Sequence, residues 1–159
     1  MGEFFNNYVQ IIVFLHVLGA IIWVGAMVAI RVAVHPVLHT IEDTQLRLEK
    51  TLAIMGRLFY LVAPFILIIM ATGLIMALGM NGHHTSMKKL FIAKEAIWTI
   101  MALNYSFMLF KLFRAKKLFN SGDLDSAKSC IKNIPTILLP INIFLGLVAL
   151  YFGINIRGF

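Results

Sequence analysis

Residues Tyr8–Val34 read YVQIIVFLHVLGAIIWVGAMVAIRVAV. Apart from Gln10 near its start, the strongly polar side chains of this run are His16 and Arg31, and Arg31 stands close to its end. A helix needs roughly 20 consecutive apolar residues to cross a hydrocarbon layer, so the run is long enough to span a membrane. Three further runs have the same character: about Leu58–Leu78, Leu90–Phe113 and Ile134–Ile154. Together they predict an all-α fold, an integral membrane bundle of four transmembrane helices in a single domain covering 1–159. No cleaved leader is expected, because no Lys or Arg precedes the first run. The composition agrees: 60% of the 159 residues are apolar and 13% charged, against about 25% charged in a soluble domain.

The net charge of +7 would suggest a nucleic-acid partner in a soluble chain, but its distribution follows the spans. Arg31, Arg47, Lys50 and Arg57 flank the first loop; Lys111, Arg114, Lys116, Lys117, Lys128 and Lys132 flank the third. These are ten of the fourteen cations, whereas the second loop and the termini hold Lys88, Lys89 and Arg157. The charge therefore reads as topology, with the lipid bilayer as partner and no nucleic acid. By the positive-inside rule both termini face away from the cytoplasm, as in a bacterial inner-membrane protein. The one cysteine, Cys130, excludes within this chain a disulfide framework, an iron–sulfur cluster and a multi-thiolate zinc site.

Turns and caps refine the boundaries. Thr40 followed by Asp43 resembles a capping box, so the second helix is expected to begin well before Leu58. Pro36 disfavours a helical His35 and predicts a helix end there, which weakens a metal pair at His35 and His39 despite their spacing of four. Pro64 and Pro140 predict bends in the second and fourth spans.

At a rise of about 1.5 Å per residue, His16 lies about 10 Å below the end of the bundle that carries the termini, with Lys94 and Glu95 about 6 to 8 Å below it. Thr72 reaches a similar level from the second span. Ionisable groups within a bilayer cost about 2.5 kcal/mol or more near a helix centre, so they face a partner or a cavity inside the bundle. This layer is the leading candidate site. Gly19, Ala20, Trp23 and Met27 continue the face of His16; the small residues leave room for a neighbouring helix or for a flat macrocycle. Lys94 shares a face with Trp98, Met101 and Tyr105, and snorkelling to the interface is its alternative use. Arg31, Arg57, Asn104 and Asn142 form a second, more diffuse layer nearer the opposite end. Met76, Met80, His83, His84 and Met87 crowd the second loop, and thioether with imidazole suits copper, particularly Cu(I).

Leu15-His16, Trp23-Val24-Gly25 and Arg31, with Thr72-Gly73 and Lys94, resemble the copper resistance protein D family, whose short members are four-span membrane proteins. Asn133-Ile134-Pro135-Thr136-Ile137-Leu138-Leu139 is more similar to HemJ-type protoporphyrinogen oxidase, a four-span haem b protein. Asn104-Tyr105-Ser106 stands where those oxidases tend to have Tyr-His. The resemblance implies that His16 ligates haem b or a metal and that Lys94 is its catalytic partner.

Three functions follow as expectations. One is a haem b redox protein, a membrane oxidoreductase exchanging electrons with a quinone or porphyrinogen. Another is a copper-handling protein that captures the ion at the outer Met and His residues. The third is a structural membrane subunit without a cofactor.

Overall fold

The computed structural model describes residues 2–80 and 88–157, and all regular secondary structure among them is helical. Four of its helical segments are long and apolar enough to cross a membrane. The bundle elements are α1 (Gly2–Ala29), α2 (His35–His39), α3 (Thr44–Gly79), α4 (Lys88–Asn120), α5 (Leu124–Ile131) and α6 (Leu139–Arg157). The main helices alternate in direction and close a ring, with α1 against α3 and α6, and α4 against α3 and α6. Phe5 rests on Gly79 at the termini end, Lys94 on Gly153 just below it, and Gly56 on Lys116 at the opposite, basic end.

The exterior carries large apolar side chains along all four helices, including Phe14, Leu67, Phe110 and Phe144. A water-soluble bundle would place polar groups there; this surface is matched to hydrocarbon. Inside, Trp23, Met27, Met55, Phe59, Met108 and Leu112 form a continuous buried core. Tyr8 departs from helical dihedrals, with φ −119° and ψ 16°, so α1 kinks where the first apolar run begins.

The helix does not end at Pro36, contrary to the expectation from sequence. Ile30–Val34 form a π-helical turn in which the His35 N–H donates to the Ile30 carbonyl, and α2 continues to His39. Proline lacks the N–H and crowds the carbonyl four residues back; a turn widened by one residue carries the chain past it. The same device recurs before Pro140, where Ile134–Leu138 form a π turn and Leu139 N–H donates to the Ile134 carbonyl. The two π turns touch each other across the bundle. Pro64, by contrast, lies inside an α3 that runs unbroken from Thr44 to Gly79.

The start of α3 also differs from the expected box. Asp43 is the cap, accepting from Gln45 N–H at 2.8 Å and Leu46 N–H at 3.2 Å. The Thr40 hydroxyl instead donates back to the Val37 carbonyl at 2.8 Å, closing the preceding helix. The helix does begin well before Leu58, as anticipated. At the other basic loop, Gly122 has φ +84°, with Gly122 N–H bonded to Phe119 carbonyl and Asp123 N–H to Leu118 carbonyl. This is a Schellman end for α4, and Asp123 then caps α5 through Ser126 N–H.

Candidate functional site: a polar layer near the termini

His16 and Thr72 meet across α1 and α3, with Nδ1 and Oγ1 2.9 Å apart. The Thr72 hydroxyl lies 2.6 Å from the Ile68 carbonyl, one turn back on its own helix. A hydroxyl has one hydrogen, and the short contact to the carbonyl takes it. Thr72 is therefore placed to accept from His16, and with the proton on Nδ1 the other ring nitrogen, Nε2, keeps its lone pair. A ring fixed in this way through one nitrogen is the arrangement by which proteins orient a histidine that acts through the other.

Two glycines make the space. A methyl group at Gly73 would lie 3.3 Å from His16 Cε1, so the Nδ1–Cε1 edge of the imidazole packs directly on α3. A methyl at Gly153 would lie 3.2 Å from Lys94 Nζ, so the Lys94 ammonium reaches across from α4 to α6. That contact places the amine among the helices. All four main helices thus contribute to the layer: His16 from α1, Thr72 and Gly73 from α3, Lys94 from α4, Gly153 from α6. Glu95, next to Lys94, is exposed.

The small residues beside His16 divide between the two uses that sequence leaves open. At Gly19 the space is taken by α3: a methyl there would lie 2.7 Å from Ile69 Cγ1 and 3.2 Å from the Phe65 carbonyl oxygen. Gly19 is therefore a packing glycine, and a macrocycle would have to lie elsewhere around the ring. Further along the same interior, the indole nitrogens of Trp23 and Trp98 are the buried side-chain donors that have no hydrogen-bond partner among the described residues. Trp23 is 2% exposed and meets Tyr105 edge-on, with centroids 6.2 Å apart. The Tyr105 hydroxyl donates to the Phe59 carbonyl at 2.6 Å. An imidazole with Nε2 unprotonated fits an axial haem ligand or a metal ligand, and the two indole N–H groups are unused donors in the same interior.

The second, diffuse layer resolves into a compact one without its arginines. Asn104 Nδ2 donates to the Leu138 carbonyl at 2.9 Å and to Asn142 Oδ1 at 2.8 Å; Asn142 Nδ2 donates to the Met101 carbonyl at 3.1 Å. Asn142 is 0% exposed and Asn104 half-buried, so this clamp between α4 and the fourth span faces the bundle interior. Arg57 is exposed and Arg31 lies beside His35, and neither joins the asparagines. Residues at one depth can point in different directions around a helix, which depth arithmetic alone does not distinguish.

Of the copper candidates, Met76 and Met80 lie one turn apart at the end of α3, where the Met80 N–H donates to the Met76 carbonyl at 3.0 Å. His83, His84 and Met87 lie outside the described residues. Among the described residues no group of three or more His, Cys, Asp or Glu side chains could hold a metal. His35 and His39 do meet, Nε2 to Nε2 at 3.2 Å, so one imidazole donates to the other. No protein-family model, curated protein or solved structure matches this chain.

Proposed function

We propose that this chain is a membrane redox protein that holds haem b, or a single transition metal, through His16. The observation that carries the reading is the bond from His16 Nδ1 to Thr72, which leaves Nε2 as a lone-pair donor inside an apolar bundle. Haem b bound there supplies one-electron chemistry at iron. His16 is the ligand, Thr72 holds its ring, and Lys94 provides a cation beside it for an anionic substituent or for proton delivery. The electron partner is a quinone or a porphyrinogen, in keeping with the resemblance to HemJ-type oxidases. We place the protein in a bacterial inner membrane with both termini outward.

Purified protein from haem-replete cells is expected to show a Soret band and reduced α/β bands. His16→Ala should lose them while still inserting, whereas His35→Ala and His39→Ala should keep them. A colourless wild-type preparation, or an unchanged spectrum in His16→Ala, overturns the assignment. Lys94→Ala should shift the spectrum or slow turnover. Reporter fusions near Asp43 and Asp123 should read cytoplasmic, and fusions after Phe159 external.

Copper handling is the second reading, favoured by the two thioethers of Met76 and Met80 one turn apart at the same end of the bundle as His16. Replacing Met76, Met80, His83, His84 and Met87 together should then weaken Cu(I) binding. A chain that binds neither haem nor copper and copurifies with other subunits would be structural.

A further inference from the structure

At the basic end, away from the His16 layer, a cavity of about 370 Å³ opens between α2, the start of α3, α5 and the two π turns. The volume falls in the roughly 300–1,000 Å³ range of small-molecule sites. Its floor is apolar and buried: Ile30, Leu48, Met55, Ile131 and Pro135. The rest of the wall mixes Val34, Leu38 and three threonines with five basic side chains, His35, His39, Arg47, Lys128 and Lys132, and no Asp or Glu among the described residues lines it. His39, Lys128 and Lys132 are exposed, so the charge is at the mouth. Arg47 is held in place by donating from Nη1 to the Ile41 carbonyl at 3.3 Å. Val32, Val37 and Ile137, on the same segments that line the cavity, are exposed apolar side chains like those of the lipid-facing surface.

An apolar floor and a basic rim without acid, at the level where the apolar belt gives way to charge, match one kind of molecule. It carries a phosphate and a hydrocarbon chain together. We propose that this cavity binds an anionic phospholipid of the surrounding bilayer, with its phosphate against Arg47, Lys128 and Lys132 and the upper part of an acyl chain over Ile30, Leu48 and Met55. Basic pockets between membrane helices recognise anionic headgroups through the same complementarity. The two π turns belong to the site: Ile30 and Val34 of one, and Pro135 and Thr136 of the other, all line it. Widened turns of this kind recur at functional positions.

The test uses the full chain in a neutral detergent, titrated with phosphatidylglycerol or phosphatidylcholine, with affinity read by native mass spectrometry and by the shift in melting temperature. Phosphatidylglycerol should bind at least about ten-fold more tightly. At about 1 kcal/mol per basic residue near a lipid surface, Lys128→Gln with Lys132→Gln should weaken it roughly thirty-fold. Lys88→Gln with Lys89→Gln, which removes the same charge from the other end of the bundle, should leave it unchanged. Thr44→Asp is an independent variant, because a carboxylate in the first turn of α3 favours the helix yet stands at the mouth of the cavity. It too should weaken binding. Equal affinity for the two lipids, loss in the Lys88/Lys89 control equal to that in the Lys128/Lys132 variant, or full displacement by glycerol phosphate would overturn the proposal. The last result would mean that a free phosphate suffices and the apolar floor contributes nothing.

Discussion

The two ends of this bundle build their polar sites in opposite ways. Near the termini, a few polar groups are packed tightly, each seated on a glycine of the facing helix: His16 on Gly73 and Lys94 on Gly153. At the basic end, cations from α3, α5 and the segment after α5, with two histidines of α2, surround an open cavity that both π turns line. The first arrangement holds one ring in place. The second offers diffuse charge beside an apolar wall, which suits a mobile amphiphile and gives little control over geometry. Perturbing geometry should therefore hurt the first site most, and perturbing charge the second.

The largest effect expected from geometry is at Thr72. Thr72→Val keeps the shape but removes the side-chain partner of His16 Nδ1, so the ring is held less firmly in its orientation. Loss of such an orienting partner typically costs about 10–100-fold in affinity. A measured haem or metal affinity for Thr72→Val equal to wild type would show that Thr72 does not control the ring, and the contrast between the two ends would lose its basis.

Next come the glycines that set the fit of α1 to α3. Gly19→Ala places a methyl 2.7 Å from Ile69 Cγ1 and 3.2 Å from a backbone oxygen, and the oxygen cannot move without shifting α3. Overpacking of this kind costs about 1–3 kcal/mol. Gly25→Ala, on the same helix, meets nothing within 4 Å and should be neutral or stabilising by up to about 1 kcal/mol through helix propensity. Unfolding in detergent distinguishes the pair, and equal destabilisation would mean the close approach at Gly19 is not what holds these helices together.

Much of the termini layer is legible in the sequence because a polar residue inside an apolar run is conspicuous, and counting residues along antiparallel helices gives its depth. That count anticipates the meeting of His16 with Thr72. It fails for Arg31 and Arg57, which share a level with Asn104 and Asn142 but point elsewhere. The sequence also misleads at Pro36, since the rule that proline ends a helix assumes an α register. Val34-His35-Pro36 carries no visible mark of a π turn. The basic cavity stays hidden for both reasons: its cations come from separate segments, and its shape depends on the two π turns.

A smaller effect is expected at the asparagine clamp. Asn142→Leu removes the bond to the Met101 carbonyl and one of the two acceptors of Asn104, whose bond to the Leu138 carbonyl survives. Hydrogen bonds between membrane helices average about 0.6 kcal/mol in double-mutant cycles, with a maximum near 1.7. A loss of about 1 kcal/mol is expected, with little change at either site. A shift in the His16 spectrum or in lipid affinity would instead show that the clamp couples the two ends.

The smallest effect is a pH dependence confined to the basic end. Hydrogen bonds from the Ser126 hydroxyl and N–H to the Asp123 carboxylate hold it below the ordinary value of 3.8. Because the folded pKa is the lower one, the cap contributes its full stabilisation above the unfolded pKa and loses it as pH falls through the folded pKa, so the window lies below about pH 4. Asp123 is fully exposed, and the effect is local to the first turn of α5. The protection factors of the Ala127 and Lys128 amides, taken against intrinsic exchange at each pH, should fall in acid more steeply in wild type than in Asp123→Asn, whose amide oxygen can still cap but does not titrate. Since α5 presents Lys128 to the cavity, that loosening should reach the mouth of the lipid site while protection around His16 stays unchanged. An identical acid profile for wild type and Asp123→Asn would remove Asp123 as the titrating cap of α5.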